Sequence, residues 1–342
     1  MMEAALAEIS SRFVTDEGRA GVAIIHGADR WSGTVGRDGA VLGESGRYLL
    51  YSFTKTLMAA AALRLVDRGR LDLDHPLDEA AAPGPVGGRI TLRQLLHHDA
   101  GLADYGGIPA YHAAVRAGQE PWTDDEFWDR TGAGRLQFEP GRGWAYSNIG
   151  YMLVRRILCR ETGAGFADTL ADLVLDPLGV ADAFVPVTRA DLEMLESGPS
   201  RYLGNGGPPV PVAARYHPGW VSHGVVAATP DAAATLLHGI MTGALLPPSL
   251  LAQMTAARRV ADPMPGRPWI EPGYGLGLMA DMAPGGSGAA GHTGGGPGCS
   301  PAVFHFRGKK RQPLTICVVT NGEDVGQAET MAVAASIRLP QD

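Results

Sequence analysis

Extended, β-like runs are confined to the two ends of this 342-residue chain, and the stretch between them is helical in pattern. Near the start, Gly21–His26 and Arg30–Val35 flank Gly27-Ala28-Asp29, a hairpin-type turn, and Tyr48–Tyr51 follows. Near the end come Tyr274–Ala280, Ala302–Phe306 and Leu314–Thr320. Helical periodicity covers residues 2–14, a long segment from Ser52 to about Arg68 stopped at Gly69, and Thr91 to about Asp176. The last of these includes Leu92–His97, Asp124–Asp129 and Asn148–Thr162, and helices are again expected at Pro230–Met241, Ser249–Ala257 and Glu329–Arg338. Residues 198–224, rich in Gly and Pro, read as a long ordered loop. Strands divided in this way form one sheet only if the chain ends meet, which predicts an α+β fold with a helical region inserted. The expected organisation is a single module over 1–342. Residues 1–80 and 225–342 supply the sheet region, and 81–224 are mainly helical.

A net charge of −7 and a pI near 5.8 exclude nucleic acid as a partner, because phosphate binding needs a basic face. No apolar run reaches the roughly 18–20 residues of a membrane span. Met1 to Glu8 lacks a basic segment ahead of an apolar one, and Cys159, Cys299 and Cys317 are too few and scattered for a disulfide framework. These features place the expected protein in the cytoplasm with buried, unbonded thiols.

Arginine supplies nearly all the positive charge; the only lysines are Lys55, Lys309 and Lys310. The last two read as a solvated turn. Lys55 stands at the start of an apolar helix, three residues after Ser52, so amine and hydroxyl share a helix face. Serine attacks a carbonyl only when a neighbour takes its proton, and a lysine in an apolar site at a helix start is disfavoured as a cation. Ser52 is thus a candidate nucleophile, Lys55 its base, and the Ser52 amide an oxyanion donor. Tyr146, in Tyr146-Ser147-Asn148, offers a phenol that a cationic amine would help to ionise, giving a second proton relay. Asn148 is a candidate to donate its amide to Lys55 or to substrate. In His292-Thr293-Gly294-Gly295, the Gly295 amide is the second oxyanion candidate and His292 a substrate-binding or proton-relay group. Each has a plainer reading too: Ser52 or Asn148 as a helix N-cap, Lys55 as a surface lysine, Tyr146 in the core, His292 in a Gly-rich hairpin. His97-His98-Asp99 has no zinc-type spacing and is read as structural. Tyr105, Trp144 and Trp220 are candidates for an acyl pocket.

In order and context these motifs resemble the serine β-lactamase, penicillin-binding protein and family VIII esterase group, in the style of its class C β-lactamase-like branch. Tyr51-Ser52-Phe53-Thr54-Lys55 is similar to the group's nucleophile segment. Ile90 to Leu102 is similar to its ITLRQLLTHTSGL stretch, and Pro140-Gly141 with Tyr146-Ser147-Asn148-Ile149-Gly150-Tyr151 to its PG…YSNxGY element. His223 to Asp231 resembles a degraded GGLxSTxxDL segment. The resemblance implies an antiparallel β-sheet flanked by helices plus an all-helical region, with the active site between them.

It further implies a serine hydrolase cleaving small esters, amides or D-amino-acid peptides, or β-lactams, through an acyl-enzyme on Ser52. Lys55 and Tyr146 would be the proton-transfer pair, with Asn148, His292, Thr293, Gly294 and Gly295 at the substrate. No cofactor or metal is implied, and the expected partner is a small molecule. An acyltransferase using the same intermediate, or a low-turnover penicillin-binding sensor, remains open. The third motif begins with His292 where typical β-lactamases carry lysine, and no Glu-x-x-Leu-Asn element occurs. The first departure weakens the expectation of an efficient β-lactamase, and the second leaves deacylation to Tyr146 and Lys55. The resembled β-lactamases and penicillin-binding proteins act outside the cytoplasm, so the expected cytoplasmic location favours an esterase, amidase or D-amino-acid peptidase.

Overall fold

The computed structural model describes residues 1–13, 18–307 and 312–339; the Lys309-Lys310 turn lies outside the described residues. The chain ends do meet. A hairpin of β1 (Arg19–His26) and β2 (Asp29–Gly36), extended by β3 (Val41–Gly43), pairs through β1 with β12 (Leu314–Thr320), Ala20 standing opposite Thr320. Beyond β12 lie β11 (Ser300–Phe306), β10 (Ala289–Thr293), β9 (Met279–Asp281), β8 (Pro272–Tyr274) and β7 (Arg258–Arg259), giving nine antiparallel strands in the order β3-β2-β1-β12-β11-β10-β9-β8-β7. A small second sheet joins β4 (Tyr48–Leu49), β6 (Ala227–Ala228) and β5 (Ala183–Phe184).

The central strands read as continuous apolar runs because both faces are covered. Ala23, Ile25, Cys317 and Val319 face the large core shared with the helical region. Their neighbours Val22, Ile24, Ile316 and Val318 face a second core, closed by helices Met2–Ser10 and Val325–Arg338. The helix Thr54–Asp67 runs through the large core, with every residue from Thr54 to Leu63 buried. A helix that is apolar all round belongs in such an interior, and Lys55 in its first turn is 0% exposed. The surface-lysine reading therefore fails.

Two expectations about local structure are corrected. Tyr274–Ala280 is two strands, β8 and β9, separated by a turn in which Gly277 has φ +71°. The N-cap of helix Asn148–Thr162 is Ser147, whose Oγ accepts from the Gly150 amide, so Asn148 is not the cap. Cys299 and Cys317 are buried, Cys159 is half-buried, and all three are unbonded. No helix among the described residues is long and apolar enough to cross a membrane.

One buried ion pair ties the second core to the end of β10. Glu329, 0% exposed on the C-terminal helix, pairs with Arg267 and accepts from Trp269 Nε1 at 3.0 Å and from Thr293 Oγ1. Glu329→Ala would leave the arginine, the indole and the hydroxyl without their shared acceptor. The expected loss of stability is about 3 kcal/mol, against less than about 1 kcal/mol for removing the exposed Arg12–Glu8 pair. Urea unfolding of the two variants measures the difference.

Candidate active site

The chain enters the site from β4 through a 3-10 turn, Tyr51–Phe53, that precedes the buried helix. Tyr51 has φ +43°, a left-handed conformation that costs a bulky residue of order 1 kcal/mol or more. Its hydroxyl donates to Pro297 O at 2.7 Å, and the end of β10 packs on the same turn. A Cβ at Gly294 would lie 2.5 Å from Leu50 O and 2.9 Å from Tyr51 Cβ, so this close approach requires glycine there. The turn leaves Ser52 partly accessible, at the edge of a cavity of about 450 Å³.

Ser52 Oγ accepts a hydrogen bond from the Tyr146 hydroxyl at 2.8 Å and lies 3.2 Å from Lys55 Nζ. Lys55 Nζ is also 2.7 Å from Asn148 Oδ1 and 3.0 Å from His223 Nε2. Burial drives the lysine well below its ordinary pKa, and the charge of Asp104 opposes this only in part. The same burial raises the Tyr146 phenol. The expected ionisation of Tyr146 by a cationic neighbour is thereby corrected: desolvation keeps the phenol protonated, and the amine is the group biased towards its basic form.

Asn148 differs from expectation as well. Its carbonyl end faces Lys55, while its Nδ2 donates to Asp104 Oδ2 at 3.4 Å and its backbone N–H to Asp104 Oδ1 at 2.7 Å. Behind Tyr146 stands the buried ring of His98, 4.3 Å away between centroids, with Nδ1 accepting from the Ser147 amide at 3.1 Å. The structural reading of the His97-His98 pair thus acquires a specific object, since His98 supports the tyrosine. No cluster of metal-ligating side chains occurs among the described residues.

The third motif divides. Gly295 lines the cavity with Ser52. His292 Nδ1 faces Thr293 O at 2.6 Å and must carry the proton there, so Nε2 accepts from Tyr274 Oη at 2.9 Å. Burial lowers this ring's pKa to about 3, leaving it neutral with both nitrogens engaged. The Thr293 side chain turns to Glu329 on the far face, and Gly294 is taken up in packing. Of the proposed pocket aromatics, Tyr105 lines the cavity, together with Tyr111, Tyr202 and Tyr216. Trp144 and Trp220 do not line it, and Trp220 is fully buried in the core. Burial raises the Cys299 thiol to about 12, as expected for an inert core cysteine.

An antiparallel sheet flanked by helices, with a helical region closing over a Ser–Lys–Tyr cluster, is the β-lactamase and transpeptidase fold. A D-stereospecific amidohydrolase from Streptomyces sp. superposes with a TM-score of 0.83 at 28% identity over 99% of both chains. The chain belongs to the Beta-lactamase family, whose model matches residues 6–337. It is 32% identical to a lovastatin esterase of Penicillium rubens over 42% of this chain and 41% of that protein. It is 28% identical to a D-aminopeptidase of Gluconobacter oxydans over 46% of this chain and 29% of that one. The matches thus span less than half the length of these two relatives.

Proposed function

We propose that the protein is a serine hydrolase that cleaves small esters or amides through an acyl-enzyme on Ser52. The observation that carries this reading is the placement of Ser52 Oγ within reach of both the Lys55 amine and the Tyr146 phenol, at the edge of a tyrosine-walled cavity. Lys55 takes the Ser52 proton as Oγ bonds to the carbonyl carbon. The oxyanion so formed is received by the backbone amides of Ser52 and Gly295. When the carbon–oxygen or carbon–nitrogen bond breaks, Tyr146 gives its proton to the leaving group and recovers one from the Lys55 ammonium. Water then repeats the sequence on the acyl-enzyme. Asn148, fixed by Asp104, holds the lysine in line.

The neutral His292 brings no cation to the site, so a substrate carboxylate finds no partner at the place where a lysine would hold it. Neutral acyl groups able to pack against tyrosine fit the cavity better than acidic ones. The relatives named as an esterase, a D-aminopeptidase and a D-stereospecific amidohydrolase support this chemistry.

Intact-mass spectrometry during incubation with 4-nitrophenyl butyrate tests the reading. The expected result is a transient butyryl mass, mapped to the Ser52 peptide, with accumulating nitrophenol. An adduct that persists would replace the hydrolase with a sensor, and butyrate recovered on an added alcohol or amine would replace it with an acyltransferase. In the same assay kcat/KM should fall as pH drops, because protonation of Lys55 removes the base. The midpoint should lie well below an ordinary lysine's pKa. A rate insensitive to pH on that side would remove Lys55 from the role.

A further inference from the structure

Lys55 has a third neighbour that the mechanism above does not employ. His223 lies in the loop before β6, 1% exposed, with Nε2 3.0 Å from Lys55 Nζ. Its other nitrogen, Nδ1, is buried and has no partner among the described residues. We infer that His223 is a positioning residue that aims the Lys55 lone pair at Ser52, by accepting one of the amine's two N–H bonds on Nε2. The inference rests on the proposed role of Lys55 as base.

A neutral amine has two N–H bonds and one lone pair, and three groups surround this one. With Asn148 Oδ1 and His223 Nε2 each accepting an N–H, the lone pair is left facing the hydroxyl of Ser52. Once the serine proton has moved, the ammonium has three N–H bonds and three acceptors. The opposite imidazole tautomer would place its own N–H on the lone pair and silence the base. No acceptor on the Nδ1 side selects a tautomer, and the Nδ1-protonated ring is the one that a basic Lys55 requires. The groups around the ring are Lys55 on one side, Tyr151 and Arg155 on helix Asn148–Thr162, His98, and His292 on β10. Burial first, with the Arg155 charge and that of the Lys55 ammonium once it forms, lowers the pKa of the ring well below its ordinary value, so the imidazole accepts without charging.

Three variants and one spectrum test this. His223→Leu keeps a buried apolar filling and removes the acceptor. Its kcat on 4-nitrophenyl butyrate should fall on the order of 10²-fold with KM nearly unchanged. The acid limb of kcat/KM should move to lower pH, since the ammonium loses a hydrogen bond. His223→Gln, whose terminal oxygen reaches the place of Nε2, should restore most of the rate and return the limb towards the wild-type pH. Equal damage in both variants, or a wild-type rate and limb in His223→Leu, overturns the inference.

A long-range 1H–15N correlation spectrum of the 15N-histidine-labelled wild type, with His223 assigned from the signal missing in His223→Gln, should show the Nδ1-protonated ring. An Nε2-protonated ring overturns the inference without reference to any substrate. Ser52→Ala serves as the zero-rate control. If the wild type itself never acquires an acyl mass on Ser52, the hydrolase reading fails, and the tautomer still decides the geometry of the pair.

Discussion

Replacing Ser52 by alanine is expected to lower turnover of 4-nitrophenyl butyrate by at least about 10⁴-fold and to abolish the acyl mass, while the protein stays folded. The chemical part follows from the removal of the hydroxyl that lies within reach of both Lys55 and Tyr146. The structural part follows from what the side chain does for the fold, which is little. Ser52 is partly accessible, and the helix behind it is held by Leu57, Met58, Ala59 and their core neighbours. The loss of one hydrogen-bond acceptor should cost about 1 kcal/mol. Turnover in Ser52→Ala within tenfold of wild type would move the nucleophile elsewhere.

The second large effect concerns the base. Lys55→Arg keeps a positive charge and a long side chain, yet kcat should drop by about 10³–10⁴-fold, as far as in Lys55→Ala, because a guanidinium does not release its proton to become a base. Arginine would also introduce a permanent charge into a fully buried site, where Asp104, already engaged by Asn148, is the neighbouring carboxylate. A lowered melting temperature should accompany the lost activity. Lys55→Met separates the two effects. It fills nearly the same volume without a charge, so it should remain inactive and unfold at or above the wild-type temperature. Activity surviving in Lys55→Arg would show that a charge, and not a proton acceptor, is needed at this position.

Lys55 stood out in the sequence because the chain otherwise spends arginine for positive charge, and its spacing from Ser52 is local. Tyr146 was legible through its motif and neighbours, but its protonation was misjudged, because burial is a tertiary property that spacing does not carry. The plainer reading of Asn148, as a helix N-cap, falls one residue from the true cap Ser147, within the ordinary blur of helix ends. His223 escaped because it sits in a loop segment read as a degraded Gly-rich element, and its partner is 168 residues away. The available signal was its departure from that pattern: a histidine where glycine was expected. Thr293 was legible as part of a motif and not as a direction, since alternate residues of a strand serve opposite faces and the partner Glu329 lies on another element.

The pairing of β1 with β12 has a consequence for how the protein comes into being. The nucleophile turn leans on the end of β10, and the sheet that carries β10 is completed on its other side by strands from both ends of the chain. Ala20 meets Thr320 only after some 300 intervening residues have been made, which at about 5–20 residues per second means roughly 15–60 s of synthesis. During that interval the first hairpin has no partner on one edge, and Ser52 has neither Tyr146 nor Gly295 in place. Contacts of such long sequence separation are late and slow to form. Activity should therefore emerge in a single step once β12 has been made and is free to pair, and the nascent hairpin of β1 and β2 is the segment most in need of protection from aggregation.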